Sequence, residues 1–348
     1  MIPQLRLRGH QLADSRFDDP KQLVSWMGAV QGQDLRMCKW ALGVRLRSGT
    51  LRRVQEALDR GEVLRTHLLR PTWHLVAAED IRWMLGLSGD RIKTAGESYA
   101  RSGGISVPDG FYAKGSRILG EMLEGRSLTK TEIAEEFARQ RFPVSDLRLT
   151  DLLIVAAEAD ALVCSGPEKS GKHTYALLEE RVPPVAKLHR EEALAVLARR
   201  YFQSHAPATL ADFAWWSGLP LTDARHAAGL IGGELVEERF GSEPFFVHQS
   251  CKEALSGADV HLLPPYDEYL IGYKDRSAVL HPDHYARAFN SWGIFYPVVL
   301  RGGTVVGNWK KSKTKAGPPV DASFFKARHG AGVRALRAAV DRYSAFLG

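Results

Sequence analysis

Residues 50 to 76 read TLRRVQEALDRGEVLRTHLLRPTWHLV, and the order of local preferences within them decides the fold. Thr50 can cap a helix in which Leu51, Val54 and Leu58 recur at helical spacing while Arg52, Arg53 and Arg60 point elsewhere. The period then changes. In VLRTHLLRPTWHLV, residues 63 to 76, two apolar, β-prone pieces flank the turn at Arg70-Pro71. Upstream, Asp19 supplies a capping carboxylate and Pro20 a first-turn proline. Leu23, Trp26, Met27 and Val30 then share one face, which predicts a short helix ending near Val30. A further helical stretch over about 37 to 46 is closed by Ser48-Gly49. The reading is helix, helix, helix, strand, turn, strand.

That order returns twice. Ser127-Leu-Thr129-Lys-Thr-Glu132 holds a T-x-x-E capping box that opens a helix through about Arg139. A helix over about 147 to 159 follows, then ALVCSGPEKSGKHTYAL, a wing-like pair of short strands around a Gly, Ser and Lys-rich tip. The third pass has a helix over about 191 to 205 and then PATLADFAWWSGLP, with Thr209 and Asp212 at capping-box spacing. Another helix opens at Leu221-Thr222-Asp223, and ELVEERFGSEPFFVH gives two strands around Gly241-Ser242. Helix-turn-helix plus hairpin, three times over, is the winged-helix pattern, a unit that fits its second helix to a DNA major groove. Such units also serve as protein-docking modules. From about Val260 the texture becomes β-rich, with Arg301-Gly302-Gly303-Thr304 joining two strands. That turn is a candidate for a hairpin that probes the minor groove. The closing GVRALRAAVDRYSAFL has helical periodicity and is expected to pack back onto the β-rich part.

The fold class is therefore α+β, with four expected segments. They are a first winged helix over 1–90, linker helices and a second winged helix over 91–186, a third winged helix over 187–255, and a β-rich, barrel-like module with a C-terminal helix over 256–348.

Charge points the same way. The 348-residue chain has a net charge of +7 and a pI near 9.3, which favours polyanionic partners. Residues 1 to 60 hold eleven Lys or Arg against six Asp or Glu, and Arg301, Lys310, Lys311, Lys313 and Lys315 form a second tract with no carboxylate from 301 to 320. For either tract alone, a solvated basic surface accounts for the charge equally well. The three cysteines, Cys38, Cys164 and Cys251, are far apart and read as reduced core residues. With no signal-peptide pattern and no apolar run near the ~20 residues needed for a membrane span, the expected location is the cytoplasm.

The chemistry-bearing motifs that can be excluded are informative. The twelve histidines show neither H-x-x-x-H nor H-E-x-x-H spacing, and there is no phosphate-binding G-x-x-x-x-G-K-[ST], no G-x-G-x-x-G after a strand and no G-x-S-x-G elbow. Neither metal nor cofactor is expected. His67 and His74 flank Pro71 and are read as partly buried structural residues, with a DNA-facing role as the alternative. What remains is Val30-Gln31-Gly32-Gln33-Asp34. Residues two apart share a face only in an extended segment, and Gly32 weakens a helix here, so an extended turn presents Gln31 and Gln33 together. From the residues alone, a polar loop closing a helix is the plainer reading.

Context comes from a family likeness. AVQGQD (29–34), LLRPTWHLV (68–76), PATLADFAWWSGLP (207–220), and LLPPYDEYLIGYKDR (262–276) followed by GIFYPVVLRGGTVVGNW (293–309) together resemble the winged-helix DNA glycosylases of the AlkZ/YcaQ-like family. That family includes enzymes that unhook interstrand crosslinks. The resemblance implies three winged-helix motifs and a β-barrel module forming a concave DNA-binding surface. It also implies a monofunctional glycosylase that excises N7-alkylated purines by hydrolysing the N-glycosidic bond, without a cofactor. The family signature of glutamine, an aliphatic residue, then glutamine or aspartate maps onto Gln31 and Gln33 as catalytic residues. Gly32 departs from it at the aliphatic position, and Asp34 offers a further carboxylate. Phosphate contacts are expected from Arg36, Lys39, Arg45, Arg47, Arg70, Arg301, Lys310 and Lys311. The expected partner is double-stranded DNA carrying alkylated or crosslinked bases, bound by a monomer. The rival reading is a non-catalytic winged-helix DNA-binding protein or transcriptional regulator, which would be indifferent to the glutamines.

Overall fold

The computed structural model describes residues 1–144, 146–241, 243–251, 259–312, 319–326 and 333–348. Ser242 of the third turn and Lys313 and Lys315 of the basic tract lie outside the described residues. The chain divides into two compact units, one of residues 1–55 and 194–348 and the other of residues 56–193. The boundaries fall inside the helices Leu51–Asp59 and Arg190–His205, so the expected segment 1–90 contributes to both units.

In the unit of residues 56–193, strands Val63–Leu68 and Thr72–Ala77 pair antiparallel, from Val63 opposite Ala77 to Leu68 opposite Thr72. Helices Ile81–Ser102, Phe111–Leu123, Lys130–Arg139 and Leu147–Ala159 follow. Thr129 caps the third as its spacing predicts. Its hydroxyl accepts from Glu132 N, and the Glu132 carboxylate accepts from Thr129 N at 2.6 Å. Strand Thr174–Leu177 lies between Leu128–Thr129 and Val163–Ser165, antiparallel to both. Leu119, Ile133, Phe137, Leu153 and Val163 are fully buried in one core. Removing that much apolar surface from water is the main force holding the helices on the sheet.

The other unit opens with helix Ile2–Gly9 and then helix Pro20–Met27, whose first turn is capped by Asp19 accepting from Gln22 N at 2.9 Å. After Val30–Gln31 comes helix Met37–Gly43. Later in the chain, helices Leu210–Ser217 and Leu221–Leu230 precede the hairpin Leu235–Phe240 and Glu243–His248. The β-rich part is a four-stranded antiparallel sheet ordered Val260–Leu263, Val298–Arg301, Thr304–Lys311, Val320–Phe324. Among the described residues this sheet is open, which corrects the expected barrel. Four strands are too few to curl the two edges together. Helix Val333–Leu347 covers it as expected, with the Tyr343 ring edge-on to Trp309 at 5.1 Å and to Trp40 at 5.0 Å.

The turn at Arg301 to Thr304 does not project as a probe. Gly303 has φ 82° and is buried. A Cβ there would stand 2.7 Å from the Pro3 carbonyl oxygen, so only glycine fits. Tyr269 Oη lies 2.8 Å from the Gly303 carbonyl oxygen, fixing the turn against the N-terminal helix.

Candidate functional site

Helix Pro20–Met27 stops just ahead of Gly28, and the chain runs extended through Val30 and Gln31. Gln31 is 4% exposed and Gln33 is exposed. The two glutamines therefore differ in access to solvent, with buried Gly32 between them. Asp34 closes the segment. Its Oδ1 accepts from Arg36 N and Met37 N, both at 2.9 Å, so its carboxylate starts the next helix.

The segment is held from far along the chain. Gln31 N donates to Glu268 Oε1 at 2.6 Å, and Glu268 Oε2 accepts from Trp216 Nε1 at 3.2 Å. Glu268 and Trp216 are fully buried. His205 Nε2 stands 3.6 Å from the same oxygen, too far for a hydrogen bond. Burial holds the His205 pKa below its ordinary value, and its ring stacks on Tyr201 at 4.6 Å. Gly272 makes room for it. A Cβ on Gly272 would lie 2.9 Å from the His205 ring and 2.6 Å from the Glu268 carbonyl oxygen.

The stretch Asp267 to Tyr273 is thus a buried polar frame. Asp267 caps the turn Glu268–Ile271 by accepting from Tyr269 N, and also takes both ends of the Arg45 guanidinium, at 2.8 and 2.6 Å. Tyr273 Oη donates to the His205 carbonyl at 2.7 Å, which leaves it to accept from His10 Nε2 at 2.8 Å. Burial lowers the His10 pKa well below its usual value, with the neighbouring His205, Arg45 and Arg6 adding to the effect. The Arg6 guanidinium lies over the Tyr273 ring at 3.6 Å and donates to Pro207 O at 3.0 Å.

Of the expected phosphate contacts, two are corrected. Arg45 is 0% exposed and bidentate with Asp267, and Lys39 is 6% exposed. A fully buried guanidinium whose two terminal nitrogens are held by a buried carboxylate is out of reach of a DNA phosphate. Arg36, Lys310 and Lys311 are exposed, and Arg70 and Arg301 are half-buried. Arg47 is exposed but bridges to Asp18, whose carboxyl is held below its ordinary pKa by that bond.

In the unit of residues 56–193, His74 is buried and donates from Nδ1 to the Thr72 carbonyl at 2.8 Å. The Nδ1 of His67 meets buried Glu158 at 2.6 Å, with the Trp73 ring 4.0 Å away. Both fit the structural reading. Cys38 and Cys164 are buried and Cys251 is half-buried, all as free thiols. Burial pushes the Cys164 thiol up to about 12.

Glu268 was the residue missed by sequence reasoning. Its signal was present, because an Asp-Glu pair set inside LLPPY and YLIGY places two carboxyl groups in an apolar run, where charges survive only with partners.

A model of the family described as DNA glycosylase AlkZ-like matches residues 24–346. The chain is 25% identical over 303 residues to an interstrand DNA cross-link repair glycosylase of Streptomyces sahachiroi, a match covering 83% of this chain and 81% of that protein. The solved structure of the Streptomyces sahachiroi DNA glycosylase AlkZ has the same fold, with a TM-score of 0.81 at 19% identity over 99% of this chain and 95% of that one. The match to the family model spans nearly the whole sequence and decides between enzyme and regulator. This chain belongs to the AlkZ-like DNA glycosylase family, and its substrate is DNA.

Proposed function

We propose that this glycosylase releases N7-alkylated purines and unhooks interstrand crosslinks, acting as a monomer through Gln31 and Gln33 without a cofactor. The observation that carries this reading is the anchoring of the Gln31 backbone on buried Glu268, which holds an exposed Gln33 on a fixed segment. An N7-alkylated purine is already cationic, so its departure takes the C1′–N9 bonding pair back into the ring and needs little acid catalysis. The transition state has oxocarbenium character at the sugar. A glutamine carbonyl cannot deprotonate water at neutral pH. It can accept a hydrogen bond from water and aim a negative dipole at the cation. Water then adds to C1′ and its proton leaves to solvent. Gln33, being exposed, presents its amide to sugar and water, while Gln31 fixes the geometry. The three helix-plus-hairpin runs act as winged helices, and Arg36, Arg47, Arg70, Arg301, Lys310 and Lys311 contact phosphates.

The test is release of free base from duplexes carrying 7-alkylguanine or a crosslink. Gln33→Ala should slow release roughly a hundredfold or more with DNA affinity little changed. The assignment fails if neither duplex yields base, or if Gln33→Ala matches wild type.

A further inference from the structure

Trp292 is 88% exposed, far more than any other large apolar side chain of the described residues except Met1 at 74%. An indole left in water forgoes most of its burial free energy, and a single one is unremarkable on a loose loop. This loop is closed on all sides. Asn290 Oδ1 accepts from Trp292 N and from Ile294 N, both at 3.0 Å, and Asn290 Nδ2 donates to Tyr296 Oη at 3.3 Å. Asn290 N bonds the Ile294 carbonyl at 3.0 Å, and Gly293, with φ 75°, bonds the Asn290 carbonyl at 3.1 Å. At the base, Phe289 and Phe295 bridge and stack with centroids 5.2 Å apart, and the Arg276 guanidinium sits 5.0 Å from one ring and 5.1 Å from the other. The neighbours of Trp292 on the turn are apolar too, with Ile294 42% and Tyr296 37% exposed.

Charge says what this tip meets. From residue 284 to 320 the sequence holds Arg287, Arg301, Lys310, Lys311, Lys313 and Lys315 and no carboxylate. A basic, carboxylate-free stretch carrying a rigid aromatic point suits a polyanion with flat apolar faces in its interior, and DNA is the established substrate. A protein groove would be served equally by a neutral rim. Apolar wedges inserted between base pairs unstack them, and an aromatic can occupy the space a displaced base leaves. Because the Asn290 turn is already formed, little side-chain or loop ordering opposes insertion.

We propose that Trp292 is a wedge that inserts into the base stack of bound DNA, with Ile294 and Tyr296 at its flanks and Asn290 as the positioning residue. This rests on DNA being the substrate and is independent of the lesion and of Gln31 and Gln33. Its test therefore uses a duplex with a tetrahydrofuran abasic-site analogue, which no glycosylase can cleave, beside the intact duplex. Trp292→Ala should leave Tm unchanged, since the side chain touches solvent. It should weaken binding to the abasic-analogue duplex about fivefold or more. Trp292→Phe should recover most of that loss. Wild type should show tryptophan quenching on binding, and that quenching should shrink in both variants. Asn290→Ala, which keeps the indole but frees the turn, should fall between wild type and Trp292→Ala. Wild-type affinity and quenching in Trp292→Ala would overturn the wedge, as would a fall in Tm that tracks the loss of binding. Failure of Gln33→Ala to slow base release would bear only on the catalytic assignment.

Discussion

The carboxyl of Glu268 and the backbone of Gln31 are 237 residues apart in sequence and 2.6 Å apart in space. With Trp216 as its second donor, Glu268 accepts from two N–H groups in a buried setting, where a stranded donor costs about 1–3 kcal/mol. Glu268→Leu should therefore unfold at clearly lower urea concentration, and the folded fraction should release base more slowly because Gln31 is no longer fixed. Glu268→Gln keeps an acceptor for Gln31 but turns an N–H toward Trp216, so it should retain most of the rate with a smaller loss of stability. Single-turnover base release beside urea unfolding checks both, and a Leu variant as stable and active as wild type would remove Glu268 from the account. Arg45 teaches the converse lesson. In LGVRLRSG nothing local separates Arg45 from Arg47, yet one is fully buried on Asp267 and the other is exposed. Charge count alone cannot tell a phosphate contact from a buried pair.

At the scale of elements, local chemistry was legible where partners are near in sequence. Asp19-Pro20, Thr129 with Glu132 and Thr209 with Asp212 all cap the helices their spacing predicts. The last carries more than a cap. Asp212 Oδ2 accepts from Thr209 N at 3.0 Å, while Oδ1 accepts from Lys274 N at 2.9 Å and Asp275 N at 3.2 Å. The short Asp in the usual Glu position is explained by this second duty, tying the helix Leu210–Ser217 to the end of the YDEYLIGYKD frame. Thr209→Ala should cost about 1 kcal/mol, and Asp212→Ala distinctly more, because it strands three donors. Equal losses in thermal melts would show that the tie to Lys274 and Asp275 carries no energy. The open sheet and the docked turn at Gly303 were not legible, since strand count and the position of Pro3 are set by residues far away in sequence.

For the molecule as a whole, the buried histidines set the acid limit. Burial, aided by Arg65 and His67, lowers the His173 pKa to about 3. Burial with Arg342 and Arg45 does the same to His261, and His10 and His205 shift the same way. Each is neutral when folded and takes up a proton on unfolding below its ordinary value of about 6.5. The unfolded chain then binds more protons, so stability falls as pH drops from about 6.5 toward 3, by up to about 1.4 kcal/mol per pH unit for each such histidine. Glu234, held down to about 2 chiefly by its bond to Arg199, adds loss in the same direction below the ordinary carboxylate range. Urea midpoints should fall steeply between pH 6.5 and 4.5 and hold level from 7 to 8. A flat profile through the acid range would mean that these rings are protonated in the folded state or exposed to solvent.

The sequence by itself determined the helices, their caps, the hairpins, the basic balance and the family, because each depends on neighbours a few residues apart or on motifs read in order. Only the tertiary structure decided which charges are buried, that Gln31 is held while Gln33 is exposed, and that Trp292 stands in solvent on a fixed turn. Those outcomes depend on partners such as Asp267 and Glu268, more than two hundred residues from the groups they bind. Burial is a property of the packed whole, and no local pattern encodes it.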